Sequence, residues 1–470
     1  MPVASYTSGG KNVVKKDIKI KLKDTVSDTV TVDFKLKINS IDSGLNHSSF
    51  KYNLVNASGT SVKSGNFSTS KAGDSISLLT LSTTDSSLTT SLTSYTLYIY
   101  IDGAMGDNPS SMMNQSFDMS FIVEGANSSM NKMVTGIATT VISNLDKGSD
   151  GNSGSGVYKV THSAIPASSS ATGSEIPAVT DYRYYGANPN NYICLDMEGQ
   201  STCPDKHLYR IIGSIYEEKE NTNRIKVIKA TPLTDGTTNG FSWDYKVNNG
   251  SGSKDNIWAT ITSGNYSNSL TSGSQLMKLL NSGAWWNGTS GSYYNNSTTA
   301  TTVNFTNYKL SDKAKSYITT SRYYLGGYNG SEGVMTNQFY AYERGTTRYD
   351  TNRPLYWDGM VGLMYPSDYG YAAGNSCVTG TEPYNYDGGC KNKDWLWMTT
   401  SSNYTSGAEW LMSPDSGYSD SVFGVDSTGY VNYYGSSGYT FAARPVFYLT
   451  SDVSITGGTG TLSDPYIITK

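Results

Sequence analysis

The sequence predicts a mainly β protein in two unlike parts, a sandwich of short strands followed by a mixed α+β domain with long loops. Three observations carry that prediction. The first 125 or so residues contain repeated runs in which apolar and polar residues alternate, the period of a strand with one buried and one wet face. The chain has 38 Tyr against 11 Phe and 8 Trp, and much of the rest is Gly, Ser, Thr and Asn; Tyr and Thr favour pleated sheet, whereas helical bundles draw on Ala, Leu, Glu and Lys. All eight Trp fall between Trp243 and Trp410, so the two parts build their cores from different residues.

The same composition excludes several function classes. With 35 basic and 39 acidic residues the formal net charge is −4, which lacks the basic excess of a nucleic-acid binder. Aromatic residues at 12% with charged residues at 16% are the reverse of a disordered chain. No apolar run reaches the ~20 residues of a membrane-spanning helix. The opening MPVASYTSGGKNVV has no apolar signal-peptide region, so we expect a trimmed mature form or another route out of the cell, for example within a virion.

After an N-terminal extension, residues 1–14, the strands follow in order. Ile18, Ile20 and Leu22 alternate with Lys19, Lys21 and Lys23; Val30, Val32, Phe34, Leu36 and Ile38 alternate with Thr31, Asp33, Lys35 and Lys37. Further strands fit around 50–55 and 75–81. Tyr95, Leu97, Ile99 and Ile101 form another period-two run, and Phe117, Met119, Phe121 and Val123 the last. Ser43-Gly44, Gly73-Asp74 and Asp102-Gly103 supply turns. About seven short strands over residues 15–125 predict an immunoglobulin-like β-sandwich. The lysine stripe reads as an edge strand blunted against self-pairing.

Residues 126–181 change texture. Val134, Ile137, Val141, Ile142 and Leu145 suggest a short helix within Met130–Leu145, and DKGSDGNSGSG and PASSSATGSEIP read as linker. From residue 182 to 470 the pattern changes again. Leu208–Ile215 and Arg224–Ile228 read as two strands joined by a charged turn. Ser274 and Ser311 each stand as the N-cap of a short amphipathic helix. Strand-like pieces close the chain at 421–426, 430–434 and 441–450. A small sheet and two short helices carrying long loops fit a C-type-lectin-like domain.

The four Cys form two close pairs, Cys194 with Cys203 and Cys377 with Cys390, without C-x-x-C spacing. Each pair brackets a Gly-, Pro-, Asp- or Asn-rich loop, so we expect two local disulfides and an oxidising compartment.

Several segments resemble a known family. Tyr182-Arg-Tyr-Tyr-Gly-Ala-Asn-Pro-Asn-Asn-Tyr with Leu208-Tyr-Arg-Ile-Ile-Gly is similar to the start of a domain found in uncharacterised surface and secreted proteins of gut Firmicutes. Gly362-Leu-Met-Tyr-Pro-Ser-Asp-Tyr-Gly-Tyr-Ala resembles its central motif. Trp395-Leu-Trp, Glu409-Trp-Leu, Gly424-Val-Asp-Ser-Thr-Gly-Tyr-Val, Ala443-Arg-Pro-Val-Phe-Tyr-Leu and the tail GGTGTLSDPYIITK resemble its closing motifs. The ending is also similar to formylglycine-generating-enzyme-like and retroelement-diversified lectin domains, where an Arg lies in a closing strand. The resemblance spans residues 182–470 and implies a C-type-lectin-like fold with a binding role. TLYIYIDGAMGDNPSSMMNQSFDMSF resembles the sandwich often placed before such a domain.

Catalytic chemistry is hard to assemble from this sequence, and we expect no enzyme. There are three His (His47, His162, His207) and no H-E-x-x-H, G-x-S-x-G or phosphate-loop motif. His207 reads as a polar residue at a strand edge. Carboxylate pairs for glycoside hydrolysis would come from Asp358, Asp368, Asp387, Asp394, Glu409 and Asp415, where separation decides the chemistry. Lectins of this fold can hold Ca²⁺, but Glu382-Pro383-Tyr384 and Asn392-Lys393-Asp394-Trp395 depart from the sugar-binding signatures. We therefore expect no cofactor and no sugar-type metal site, with a structural Ca²⁺ elsewhere left open.

Binding chemistry is easier to find. The segment SPDSGYSDSVFGVDSTGYVNYYGSSG (413–438) has the Tyr/Ser/Gly/Asn composition of antibody loops. Tyr418, Tyr430, Tyr433, Tyr434 and Tyr439 are the ligand-contact candidates, joined by Trp286, which we expect to be the exposed member of Trp285-Trp286. Trp410 and Arg444 read as structural. The expected function is an extracellular or cell-surface, adhesin-like protein recognising a glycan or glycoprotein. The alternatives are a subunit of a surface filament or virion that pairs with copies of itself and, less favoured, a glycan hydrolase.

Overall fold

The computed structural model describes residues 13–21, 30–83, 87–102, 112, 115–127, 136–248, 251–253, 255–260, 273–386, 388–398 and 407–470. The chain is mainly β and divides into two compact units, Met1–Met133 and Val134–Lys470.

The described residues of the first unit form seven strands: β1 (Val13–Ile20), β2 (Val30–Ile41), β3 (Phe50–Asn56), β4 (Ser61–Asn66), β5 (Ser75–Ser82), β6 (Thr93–Ile101) and β7 (Phe117–Asn127). They form two antiparallel sheets, β1-β6-β3-β4 and β5-β2-β7. Leu36 and Ile38 of β2 and Leu78 of β5 share one core with Phe50, Tyr52 and Leu54 of β3 and Leu97 and Ile99 of β6, so each sheet contributes its apolar face. The alternation of β2 reads directly in burial: Phe34, Leu36 and Ile38 are buried and Lys37 is exposed. β4 is new relative to the sequence reading. Its residues, SVKSGN, are almost all exposed at a sheet edge and carry no apolar alternation to detect. β1 occupies the other edge with Lys15, Lys16 and Lys19 exposed, the position in which charge discourages strand addition. Most of the extension 1–14, and Leu22 and Lys23 of the first run, lie outside the described residues.

In the second unit the strands are β8 (Gly136–Ile137), β9 (Gly156–His162), β10 (Val179–Tyr185), β11 (Tyr192–Cys194), β12 (Leu208–Glu217), β13 (Thr222–Lys229), β14 (Lys246–Asn248), β15 (Ser251–Ser253), β16 (Ser290–Tyr293), β17 (Thr301–Asn304), β18 (Ser321–Tyr324), β19 (Tyr356–Gly359), β20 (Glu409–Pro414), β21 (Ser421–Val425), β22 (Val431–Gly435), β23 (Val446–Tyr448), β24 (Ser454–Gly457) and β25 (Tyr466–Thr469). Nine of them form one sheet in the order β23-β13-β12-β11-β25-β24-β8, with β10 pairing both β12 and β9. This is larger than the small sheet expected. The described helices are short: α1 (Ala138–Ser143), α2 (Gln275–Asn281), α3 (Ala284–Asn287), α4 (Asp312–Ser316), α5 (Thr336–Glu343), α6 (Pro366–Ala372) and α7 (Asn375–Gly380). Ser274 and Ser311 cap α2 and α4 as expected, accepting from the Met277 and Ala314 amides at 3.2 and 3.1 Å.

The short helix expected within Met130–Leu145 is α1, whereas the linker expectation for the residues after it is corrected over their described part. Ala138, Val141 and Ile142 of α1 and Val157 of β9 are core residues, and β9 pairs along its whole length with β10. The polar composition misled because it belongs to the turns around 146–155, not to the strand they lead into; residues 130–135 of the expected helix lie outside the described residues. The strand expected at 441–450 shortens to β23, because Phe441 and Ala442 bridge to Phe241 and Glu409 instead.

The motifs that carried the resemblance lock onto one another. Arg183, 1% exposed, donates to Asp181 Oδ2 at 2.8 and 3.1 Å and to Asp368 Oδ1 at 3.0 Å, and Lys226 pairs with the other Asp368 oxygen. Trp395 donates to the Tyr184 carbonyl at 3.0 Å. Arg444 grips Glu409 with two bonds of 2.7 and 2.8 Å and donates to the Leu396 carbonyl. Burying these charges is tolerable only because each finds partners.

Candidate functional site

The loop after β20 is shaped by one buried carboxylate. Asp415, fully buried, accepts from the Gly417 and Tyr418 amides at 2.6 and 3.0 Å through Oδ1 and from Gly330 at 3.0 Å through Oδ2. Burial raises its pKa while those amides lower it. Buried Asn256 completes the frame, its amide nitrogen reaching the carbonyls of Asp415, Tyr418 and Ser421 at 2.9, 2.9 and 2.7 Å. Arg353 in turn bonds Asn256 Oδ1 and donates to the Ser419 carbonyl. Two glycines let this loop meet the 326–333 loop: a Cβ at Gly417 would lie 2.1 Å from Asn329 Oδ1, and one at Gly327 would lie 2.1 Å from the Pro414 carbonyl. The result is a loop in which side-chain-to-backbone bonds add to main-chain bonds from Asp415 to Ser421 and from Ser416 to Tyr328.

On that frame stand the expected tyrosines. Tyr418, 52% exposed, stacks on half-buried Tyr433 of β22, with ring centres 5.5 Å apart and planes 19° apart. Tyr430 packs on Tyr384 at 6.1 Å. The carboxylate of exposed Glu332 hydrogen-bonds the Tyr384 hydroxyl and raises its pKa; Tyr433 is raised by burial, by Tyr418 and Asp415, and to a lesser extent by Glu332. Ser331 donates to Asn432 Oδ1 at 3.1 Å, tying this loop to β22.

The remaining candidates stand apart from this group. Tyr434 meets Phe441 and Tyr439 edge-on at 4.9 and 5.5 Å, bonds Asp426 at 3.2 Å and packs against the main core; it is a core-edge residue, although its neighbour Tyr439 is 49% exposed. Trp286 sits on α3 against the main core, with Lys315 5.0 Å over its ring. Trp285 is buried as expected, and Trp286 is half-covered instead of exposed. Tyr384 and Glu332 were missed, because Glu382-Pro383-Tyr384 reads in the sequence as a failed calcium signature.

Both disulfides are present, Cys194–Cys203 and Cys377–Cys390, each with Cα atoms 5.8 Å apart. The carboxylates considered for hydrolysis are engaged elsewhere: Asp358 with Arg322, Asp368 with Arg183 and Lys226, Glu409 with Arg444. Asp394 is buried with its pKa raised by desolvation, and Asp387 lies outside the described residues. Glu382 accepts from the Gly333 amide and Asn385. Among the described residues, one group of carboxylate and imidazole atoms lies close enough to hold a metal, Asp196, Glu198 and His207 within 4.8 Å of one another. Lys313 and Ser311 already pair with Asp196, and Lys206 with Glu198. His207 stands immediately before β12, as expected, but is fully buried, bonding Glu198 at 3.1 Å.

No described helix is long and apolar enough to cross a membrane. No family model matches the chain, and no curated protein or solved structure matches it.

Proposed function

We propose that this is an extracellular, adhesin-like binding protein, an immunoglobulin-like β-sandwich followed by a C-type-lectin-like domain, that recognises a glycan or glycoprotein and has no enzymatic activity. The observation that carries the reading is the Tyr418–Tyr433 stack, accessible to solvent and set on a loop pre-shaped by Asp415 and Asn256. Tyrosine rings offer large rigid faces at low entropic cost, and a rigid loop avoids the ordering cost of binding. Two disulfides support an oxidising, extracellular setting. Many copies on one surface would supply avidity to modest single sites. The test is a glycan array, with and without Ca²⁺, comparing wild type with Tyr418→Ala/Tyr433→Ala. Binding by wild type and loss in the variant is expected; a blank array under both conditions counts against saccharide recognition.

A second reading, a repeating subunit of a filament or virion, draws on β1 being an edge strand that a neighbouring copy could extend, provided that copy's charge offsets the exposed lysines that otherwise discourage strand addition there. Helical filaments of the purified protein in electron micrographs would favour it.

A further inference from the structure

Strand alternation sorts the side chains of β10 onto two faces. Asp181 and Arg183 go to one, where Arg183 meets Asp368 in the interior at 3.0 Å. Thr180 and Tyr182 go to the other. Tyr182 stands opposite Ser214 of β12, Tyr216 lies two residues further along β12 on the same face, and Asn223 of β13 stands opposite Tyr216. These side chains line a groove of about 500 Å³, within the ~300–1,000 Å³ of small-molecule sites. Thr139, Thr140 and Ser143 of α1, Asn221 and Thr222 at the β12–β13 turn, and Val179 complete the lining. The groove shares no residue with the Tyr418–Tyr433 face.

No lining residue is charged, and much of the hydrogen-bonding capacity is uncommitted. Among the described residues, the hydroxyls of Thr139, Thr140, Thr180, Tyr182 and Thr222 bond to no protein group. Ser214 is only 1% exposed, yet its hydroxyl also has no protein partner among the described residues and the residue borders the groove; a buried polar group of this kind calls for a partner from outside. The groups that are bonded hold the lining in place. The Tyr216 hydroxyl donates to Asn221 Oδ1 at 2.9 Å, and Asn223 Nδ2 donates to the Thr180 and Ser214 carbonyls at 2.9 and 3.2 Å. The Asn221 amide nitrogen and the Asn223 amide oxygen stay uncommitted.

We propose that this groove binds an uncharged saccharide, as a second site independent of the tyrosine face. A hydroxyl both donates and accepts, so Ser and Thr hydroxyls beside one amide nitrogen and one amide oxygen match sugar hydroxyls of either orientation. Tyr182 and Tyr216, each half-buried, offer ring surface to the C–H faces. An ionised sugar would give up hydration to a lining without a countercharge. Three hydrogen-bonded strands carry most of the lining, so binding orders little of the protein. The groove reading does not depend on the tyrosine face.

Saturation-transfer NMR tests it on the full chain in the Tyr418→Ala/Tyr433→Ala background, where the other face is silenced. The probes are cellotriose, maltotriose, mannotriose, N-acetylated chitotriose and trigalacturonate. Transfer to at least one uncharged triose and none to trigalacturonate is expected. Adding Thr140→Trp or Thr222→Trp, each at an exposed residue on the groove, should weaken that binding at least about tenfold with the melting temperature unchanged. If every uncharged triose is blank in this background, the groove proposal falls, and the tyrosine face stands or falls on its own array. Transfer that survives both Trp substitutions places the ligand elsewhere and overturns the site. Binding of trigalacturonate that either Trp substitution abolishes overturns the assigned chemistry.

Discussion

Tyr433 and Tyr434 are neighbours on β22, and the proposed binding role gives them opposite jobs that a pair of alanine substitutions separates. Tyr434→Ala removes two edge-on ring contacts, at 4.9 and 5.5 Å, each worth about 0.5–1.5 kcal/mol, and a hydrogen bond to Asp426 worth about 1 kcal/mol. The sum is about 2–4 kcal/mol. Tyr433→Ala gives up one stacked contact with Tyr418, worth about 0.5–1 kcal/mol. The second unit has 470 − 133 = 337 residues, so its unfolding entropy is about 0.7 kcal/mol/K. The expected falls in Tm are therefore about 3–6 °C for Tyr434→Ala and about 1 °C for Tyr433→Ala. Calorimetry on the full chain reads the first quantity, and titration with a bound oligosaccharide reads the second. Tyr433→Ala should weaken binding at least about tenfold, while Tyr434→Ala, still folded at 25 °C, should weaken it much less. A fall in Tm for Tyr433→Ala as large as for Tyr434→Ala would mark Tyr433 as core and refute the division of labour.

The disulfides close loops with sequence separations of 9 and 13, so loop-closure entropy predicts losses of about 2.6 and 2.9 kcal/mol on reduction; dithiothreitol should lower the melting temperature, and an unchanged curve would contradict this. Arg183→Met removes the cation shared by Asp181 and Asp368, leaving Asp181 only His162 and the Tyr216 amide and Asp368 only Lys226 and the Tyr365 amide, and should cost about 3–5 kcal/mol, read as a lower urea midpoint, with Lys226→Met costing less because it pairs with Asp368 alone; equal costs would refute that ranking. Burial pushes buried Glu343 up from 4.5 to about 7 against the opposing pull of Arg344. With the folded value above the unfolded one, the fold holds the extra proton, so this contribution is full below about pH 4.5 and is lost as pH rises through 7. Glu343→Gln, keeping an acceptor for Ser367, should flatten the stability profile between pH 5 and 8, by up to about 3 kcal/mol; parallel profiles for the two proteins would refute it.

Where burial follows a simple period, the sequence was legible. β2 and β6 were found because one face of each meets the apolar core, and α2 and α4 because a serine cap precedes an apolar stripe. β4 was invisible because an exposed edge strand has no buried face to alternate. The short helix α1 was found from its apolar residues, but the stretch after it was misread as linker because its glycines and serines mark turns that lead into β9, where Val157 joins the core. At the site, Tyr418 and Tyr433 were named from composition alone, but composition cannot tell them from Tyr434, which differs only in facing Phe441. Glu332 and Tyr384 come from separate loops and meet only in three dimensions, so no local pattern announces them. Arg444 was read correctly as an ion-pair partner; its partner, Glu409, had instead been weighed among catalytic carboxylates.

What makes the aromatic face credible as a recognition surface is how its rigidity is achieved. Strand β22 is paired by main-chain bonds to β21, but the Tyr418 loop has no such ladder. Beyond main-chain bonds from Asp415 to Ser421 and from Ser416 to Tyr328, its shape comes from Asp415 and Asn256, two buried polar side chains that together reach six backbone groups. A buried carboxylate that is not satisfied costs several kcal/mol, so the interior enforces the loop conformation: releasing the Gly330, Gly417 and Tyr418 amides would leave Asp415 without those partners. The tyrosine side chains above contribute little to that enforcement, as their exposure requires, and so are free to differ without unfolding the frame. This arrangement separates folding from recognition, with the determinants of shape buried beneath the determinants of contact, and it is the physical reason to expect changes at 418 and 433 to alter binding while changes at 415 and 256 alter the fold.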